Sequence, residues 1–206
     1  MHWSRWSALK NKTHGITAFL THDPKCRPHR LLMGVSDLQV GVVGCGTMNT
    51  AIVRGLCTLD SPPRSVVVSP RNAEKAAALH EDFPSLVRVA ADNQEVVDSS
   101  DTVFIGVLPK LAEQVLSGLR FEARHTVVSL MSTTPIESVR RWCAPVPAAS
   151  VVRAIPLPPV AKHMGTTLVT PRHETIVSLF NALGTAVCAQ CSRAPLCAPP
   201  AHLRCA

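Results

Sequence analysis

Between residues 37 and 187 the chain repeats one rhythm, a short apolar run followed by a segment whose apolar positions lie three and four apart. Residues 38–44 are apolar and end in glycines, which predicts a buried strand; Met48, Ala51, Ile52 and Leu56 then recur at helical spacing until Ser61-Pro62-Pro63 stops the helix. The same rhythm predicts strands at 65–69, 87–90, 101–107, 125–131, 150–155 and 166–169. It predicts helices at 72–80, 93–99, 111–119 (after Pro109), 135–143 and 175–183, the last capped by Gly184. Apolar runs buried on both faces and alternating with helices call for a parallel sheet with right-handed crossovers. The expected fold class is α/β: a Rossmann-type doubly wound, mainly parallel sheet, in a single domain over 37–187.

Outside these limits the rhythm is absent. Residues 1–36 read as an irregular basic extension, with six Lys or Arg among residues 1–38 against only Asp23 and Asp37. An unstructured leader ahead of Met33 is the favoured interpretation. A mitochondrial presequence, which would also be basic and acid-poor, is the alternative. The expected location is accordingly cytoplasmic, or mitochondrial if residues 1–32 are a genuine presequence. Residues 188–206 form a Cys- and Pro-rich irregular tail, with Cys188 and Cys191 followed by Cys197, His202 and Cys205. Strong zinc sites carry paired C-x-x-C knuckles and this tail has one, so no metal is assigned and an arbitrary, truncated end is the simpler account.

With 206 residues, 46% hydrophobic and 17% charged, the chain can bury one sizeable core. No apolar stretch approaches the ~18–20 residues that span a bilayer, so no membrane partner is expected. The net charge of +7 lies mostly outside the periodic region, and the sequence has no Tyr. Without basic and aromatic residues interleaved, nucleic acid is not an expected partner either. The eight cysteines, with no secretory signal ahead of them, are expected to be free thiols.

Chemistry is most legible at Gly44-Cys45-Gly46-Thr47-Met48-Asn49, a G-x-G-x-x-N run between a strand and a helix. The first glycine permits a tight turn; the second lets the backbone approach a pyrophosphate, which then faces the free N–H groups of the helix N-terminus. Asn49 stands where Gly or Ala is usual, which puts the close packing of helix on strand in question. The second strand ends in Ser69-Pro70-Arg71-Asn72 and has no acid for a ribose 2′-hydroxyl. Ser69, Arg71 and Asn72 instead offer hydroxyl, guanidinium and amide donors to a 2′-phosphate, which favours NADP(H) over NAD(H).

Taken in order, GVVGCGTMNTAIVRGL, VVVSPRNAEKAAAL, ADNQEVVDSSDTVFIGVLP, HTVVSLMS and VVRAIPLPPVAKHMGTTLV resemble the N-terminal domain of pyrroline-5-carboxylate reductases, over about residues 38–187. The resemblance implies reduction of a cyclic imine to proline with hydride from NAD(P)H, the substrate being a small imino acid. It places Asn93 near the adenosine, Val107, Leu108 and Pro109 at the family's V-K-P turn, and Met131, Ser132 and Thr133 beside the nicotinamide. Several positions depart from the family pattern. Leu108 replaces a Lys, Met131 and Thr133 are bulkier than the family's Ala and Gly, and Ile155-Pro156-Leu157-Pro158-Pro159 stands for M-P-N-T-P. Arg153 is kept.

The family continues into an all-helical, dimerising domain with a T-A-x-S-G-S-G-P-A motif that binds the imino acid, and no such motif follows Val187 here. No catalytic residue is therefore assigned, dimerisation is not expected, and this chain alone is expected to be weak or inactive. The alternative function is a non-catalytic NADP-binding relative. A dehydrogenase of the hydroxyacid type is disfavoured, because no catalytic Lys follows in the expected helical context.

Overall fold

The structure, a computed structural model, describes residues 34–188. The leader (1–32) and most of the tail, including Cys191, Cys197, His202 and Cys205, lie outside the described residues. A 3-10 turn, Val35–Asp37, leads into β1 (Gln39–Val43), α1 (Thr47–Cys57), β2 (Ser65–Val68), α2 (Ala73–Asp82), β3 (Val87–Val89) and α3 (Asn93–Asp98). There follow β4 (Thr102–Ile105), α4 (Pro109–Ser117), β5 (Thr126–Ser129), α5 (Ile136–Trp142) and β6 (Val151–Ile155). A second 3-10 turn (Ala148–Ser150) precedes β6, and a third (Pro158–Lys162) leads to β7 (Thr166–Thr170), α6 (Glu174–Ala182) and β8 (Thr185–Cys188).

These strands make one eight-stranded sheet in the order β3-β2-β1-β4-β5-β6-β7-β8. Alternation along each strand divides its side chains between two cores. Val40 and Val42 of β1 and Phe104 of β4 pack with Ile52 and Leu56 of α1, Leu79 of α2 and Phe180 of α6. Val43, Val103 and Ile105 face the other way, onto Val96 of α3, Leu116 of α4 and Val139 of α5. Helices thus cover both faces, which explains why the strands read as continuous apolar runs rather than as alternating ones. Each fully buried Val, Leu or Phe contributes roughly 1.5–3 kcal/mol. Phe104 and Phe180 add an edge-to-face contact with ring centres 6.2 Å apart.

Two features differ from the sequence expectation. β7 runs antiparallel to β6, with Arg153 opposite Thr170 and Ile155 opposite Leu168. A parallel return needs a crossover of a dozen or more residues, and the link from Pro156 to Gly165 holds only a 3-10 turn, so the chain doubles back. The other feature is β8, whose four residues are all exposed or half-buried. A strand without a buried apolar run leaves no periodic signal, and β8 overlaps the point where the rhythm was expected to end. No helix among the described residues is long and apolar enough to cross a membrane.

His125, just ahead of β5, is fully buried; its Nδ1 accepts the backbone N–H of Glu122 at 2.8 Å, which leaves the ring proton on Nε2. Burial, aided by the neighbouring Arg124 charge, holds its pKa below the usual 6.5, although Glu122 and Asp101 pull the other way. The native state therefore prefers the neutral ring. That contribution to stability is complete above the unfolded-state pKa and is lost as pH falls below about 6.5. Thermal melts between pH 7 and pH 5 should show stability falling with acidity, and His125→Gln should flatten the slope. An unchanged slope in that variant would assign the acid sensitivity elsewhere.

Candidate dinucleotide site

Strand order reverses at β1 and β4: β2 and β3 lie on one side, and β5 to β8 on the other. Connections leaving the carboxyl ends of β1 and β4 diverge there and open a crevice, where doubly wound sheets bind ligands. Gly44, Cys45 and Gly46 leave β1 at this point. Gly44 has φ +93, a left-handed conformation, and a Cβ on it would sit 2.7 Å from the Gly106 carbonyl oxygen. Protein geometry alone therefore requires glycine at 44.

Gly46 differs. It N-caps α1 at φ -77 and ψ 172, a conformation open to any residue. A Cβ there would meet only the Gly106 oxygen, at an ordinary 3.7 Å. Nothing in the fold requires a glycine at 46, whereas a ligand lying against this backbone would. Helix α1 receives no side-chain cap and has no acid in its first turn, so its N–H groups and dipole face the crevice without an anion. Thr47 is exposed and Met48 half-buried at this helix start.

Asn49 is resolved by its neighbours. The residue is buried, and its Nδ2 donates to the Gly44 carbonyl at 2.6 Å. Room for it comes from Gly106, just after β4, where a Cβ would fall 2.5 Å from that Nδ2. The glycine missing from the end of the fingerprint is thus supplied from across the crevice, and helix and strand stay close.

At the end of β2 the expected donors separate. Ser69 is fully buried; its Oγ accepts the Gly44 N–H at 3.0 Å, and its carbonyl accepts the Cys45 thiol at 3.3 Å. It therefore braces the glycine turn from beneath and does not face the crevice. Burial pushes the Cys45 thiol pKa up, so the thiol remains protonated and is no nucleophile. Arg71 and Asn72 are exposed, and Asn72 Oδ1 N-caps α2 by accepting the Lys75 N–H at 3.3 Å. Lys75 was not singled out from the sequence. Its Nζ donates to Thr47 Oγ1 at 3.4 Å, linking the first turns of α2 and α1 over the crevice. The available signal was its place three residues after the cap of the helix that follows β2.

The remaining candidates line the same edge of the sheet. Asn93, half-buried, opens α3 after β3. Val107 is half-buried, Leu108 is 70% exposed as the N-cap of α4, and Pro109 fills the first helical position. Beyond β5, Met131 is buried in the core among the side chains of α4 and α5, so its bulk turns away from the crevice and only its backbone faces that edge. Ser132 and Thr133 are exposed. The Arg153 guanidinium donates to the Thr134 carbonyl and ties this loop to β6.

Fold and crevice together define a class: a doubly wound α/β domain of the dinucleotide-binding type. Residues 39–133 match the family described as NADP oxidoreductase, coenzyme F420-dependent. Over 160 residues the chain is 31% identical to pyrroline-5-carboxylate reductase of Escherichia coli (strain K12), covering 73% of this chain and 58% of that protein. Among solved structures, it resembles a pyrroline-5-carboxylate reductase from Coxiella burnetii with a TM-score of 0.64 at 22% identity, over 76% of this chain and 60% of the other. The Plasmodium falciparum pyrroline carboxylate reductase solved with NADP bound gives a TM-score of 0.63 at 16% identity, over 76% and 59%. These two likenesses show the fold. Through this domain the chain is similar to pyrroline-5-carboxylate reductases, and it spans 58% of the length of the Escherichia coli relative.

Proposed function

We propose that the domain binds NADP(H) across the crevice and serves a reductase that converts 1-pyrroline-5-carboxylate to proline, a step of proline biosynthesis. The observation that carries the cofactor assignment is Gly46, a glycine whose missing side chain the protein itself does not need. In this reading the pyrophosphate lies against the Gly46 backbone and the N–H groups of Thr47 and Met48, the Gly46 N–H itself donating to the Gly44 carbonyl at 2.9 Å. Arg71 and Asn72 take the 2′-phosphate side, and Asn93 the adenosine. Val107, Leu108, Pro109, Met131 and Ser132 border the nicotinamide end. Bound NADPH supplies a hydride to the imine carbon, while the ring nitrogen takes up a proton. The described residues contribute binding and orientation, which is most of what a protein adds to such chemistry. Identity of 31% with the Escherichia coli reductase supports the choice of substrate.

A second function has its own support: an NADP-binding domain without catalysis. Leu108, where the family has Lys, is 70% exposed, and Leu157, where it has Asn, is 51% exposed. Apolar side chains at both places remove polar groups from the reacting end. NADPH oxidation with 1-pyrroline-5-carboxylate separates the two. Turnover supports the reductase, binding without turnover supports the non-catalytic domain, and no dinucleotide binding at millimolar concentration would remove both.

A further inference from the structure

Asn49 fills the space that Gly106 leaves, and the three atoms nearest to a Cβ on Gly106 all belong to its amide, at 2.5, 3.0 and 3.4 Å. Gly106 has no positive φ, so its backbone does not itself require glycine. A shorter side chain at 49 with a Cβ at 106 would occupy the same volume. Packing therefore does not call for an amide. The amide even carries a penalty, because Asn49 is 1% exposed and its Oδ1 is buried with no hydrogen-bond partner among the described residues.

What the amide adds is a donor. Asn49 Nδ2 bonds the Gly44 carbonyl at 2.6 Å, and the same oxygen accepts the Gly46 N–H at 2.9 Å. On the other side of that residue, the Gly44 N–H donates to Ser69 Oγ at 3.0 Å. Both peptide groups of Gly44 are thereby held by buried side chains, although glycine has the most backbone freedom to lose. A turn ordered before its ligand arrives removes that cost from binding. Resting on the cofactor assignment above, we infer that Asn49 is a positioning residue for the dinucleotide's diphosphate. It fixes the Gly44–Cys45 peptide, and with it the turn that presents Gly46 and the first N–H groups of α1. It acts from beneath the turn, without contacting the cofactor.

The test separates donor from filler in the full chain. NADPH, NADH and 5′-ADP, which share the diphosphate, are titrated beside adenosine 2′-phosphate, which lacks it. Asn49→Ala should lower the melting temperature and weaken the three diphosphates alike, roughly tenfold, with adenosine 2′-phosphate unchanged. Adding Gly106→Ala refills the space without the donor, so the melting temperature should recover while the loss of affinity remains. Affinity that recovers together with the melting temperature would make Asn49 a space-filler and overturn the inference. So would unchanged affinities in Asn49→Ala, a loss limited to NADPH, or a loss that extends to adenosine 2′-phosphate. If the paired substitutions do not regain the melting temperature, the pattern across the four ligands in Asn49→Ala decides by the same criteria. Failure of the parent chain to bind any dinucleotide is a separate outcome, which overturns the cofactor assignment and this inference with it.

Discussion

Gly46→Ala is expected to fold and melt like the parent chain while losing most of its affinity for NADPH. The backbone at 46 already has a conformation that alanine adopts freely, and the added methyl meets no protein atom closer than 3.7 Å. The change in stability should stay within about 0.5 kcal/mol. A pyrophosphate drawn onto the N–H groups of α1 would meet that methyl directly. Displacing it lengthens charge-assisted hydrogen bonds, and the expected loss is on the order of tenfold to a hundredfold in affinity. Isothermal titration together with a thermal melt measures both halves. A variant that binds NADPH like the parent would mean that the ligand does not approach this turn.

Gly44→Ala should do the opposite and damage the protein before any ligand is considered. Its φ of +93 is strained for an L-residue, and the new Cβ would sit 2.7 Å from the Gly106 carbonyl and 3.1 Å from the Val107 side chain. The first contact is with backbone at the end of a central strand, which cannot yield cheaply. Strain and clash together should cost roughly 2–4 kcal/mol, a large fraction of a domain's total stability. Chemical denaturation would show the midpoint shifted down with the slope unchanged. The two glycines, one residue apart, are therefore separable by experiment: the fold requires glycine at 44, and the proposed ligand would require it at 46.

Much of this was legible in the sequence because the central strands are buried on both faces. Residues such as Val66, Val67 and Val68, or Val103, Phe104 and Ile105, leave short apolar runs whose length, β-branched and aromatic content and flanking turn residues mark them as strands. The glycine turn was legible for a related reason, since few other residues fit a left-handed turn between a strand and a helix. What escaped detection depends on partners distant in sequence. The role of Asn49 follows from Gly106, and that of Ser69 from the N–H of Gly44. Met131 looks obstructive until its side chain is seen to enter the core. Lys75 gains its interest only from Thr47, on another helix. Edge strand β8 was missed because it buries too little to leave a pattern.

The central claim is that the crevice over β1 and β4 binds NADP(H), and fluorescence titration of NADPH with the full chain tests it most directly. Saturable binding, tighter for NADPH than for NADH and reduced by Gly46→Ala, is the predicted result. No saturable change in NADPH fluorescence at millimolar cofactor, from a chain shown to be folded, would contradict it.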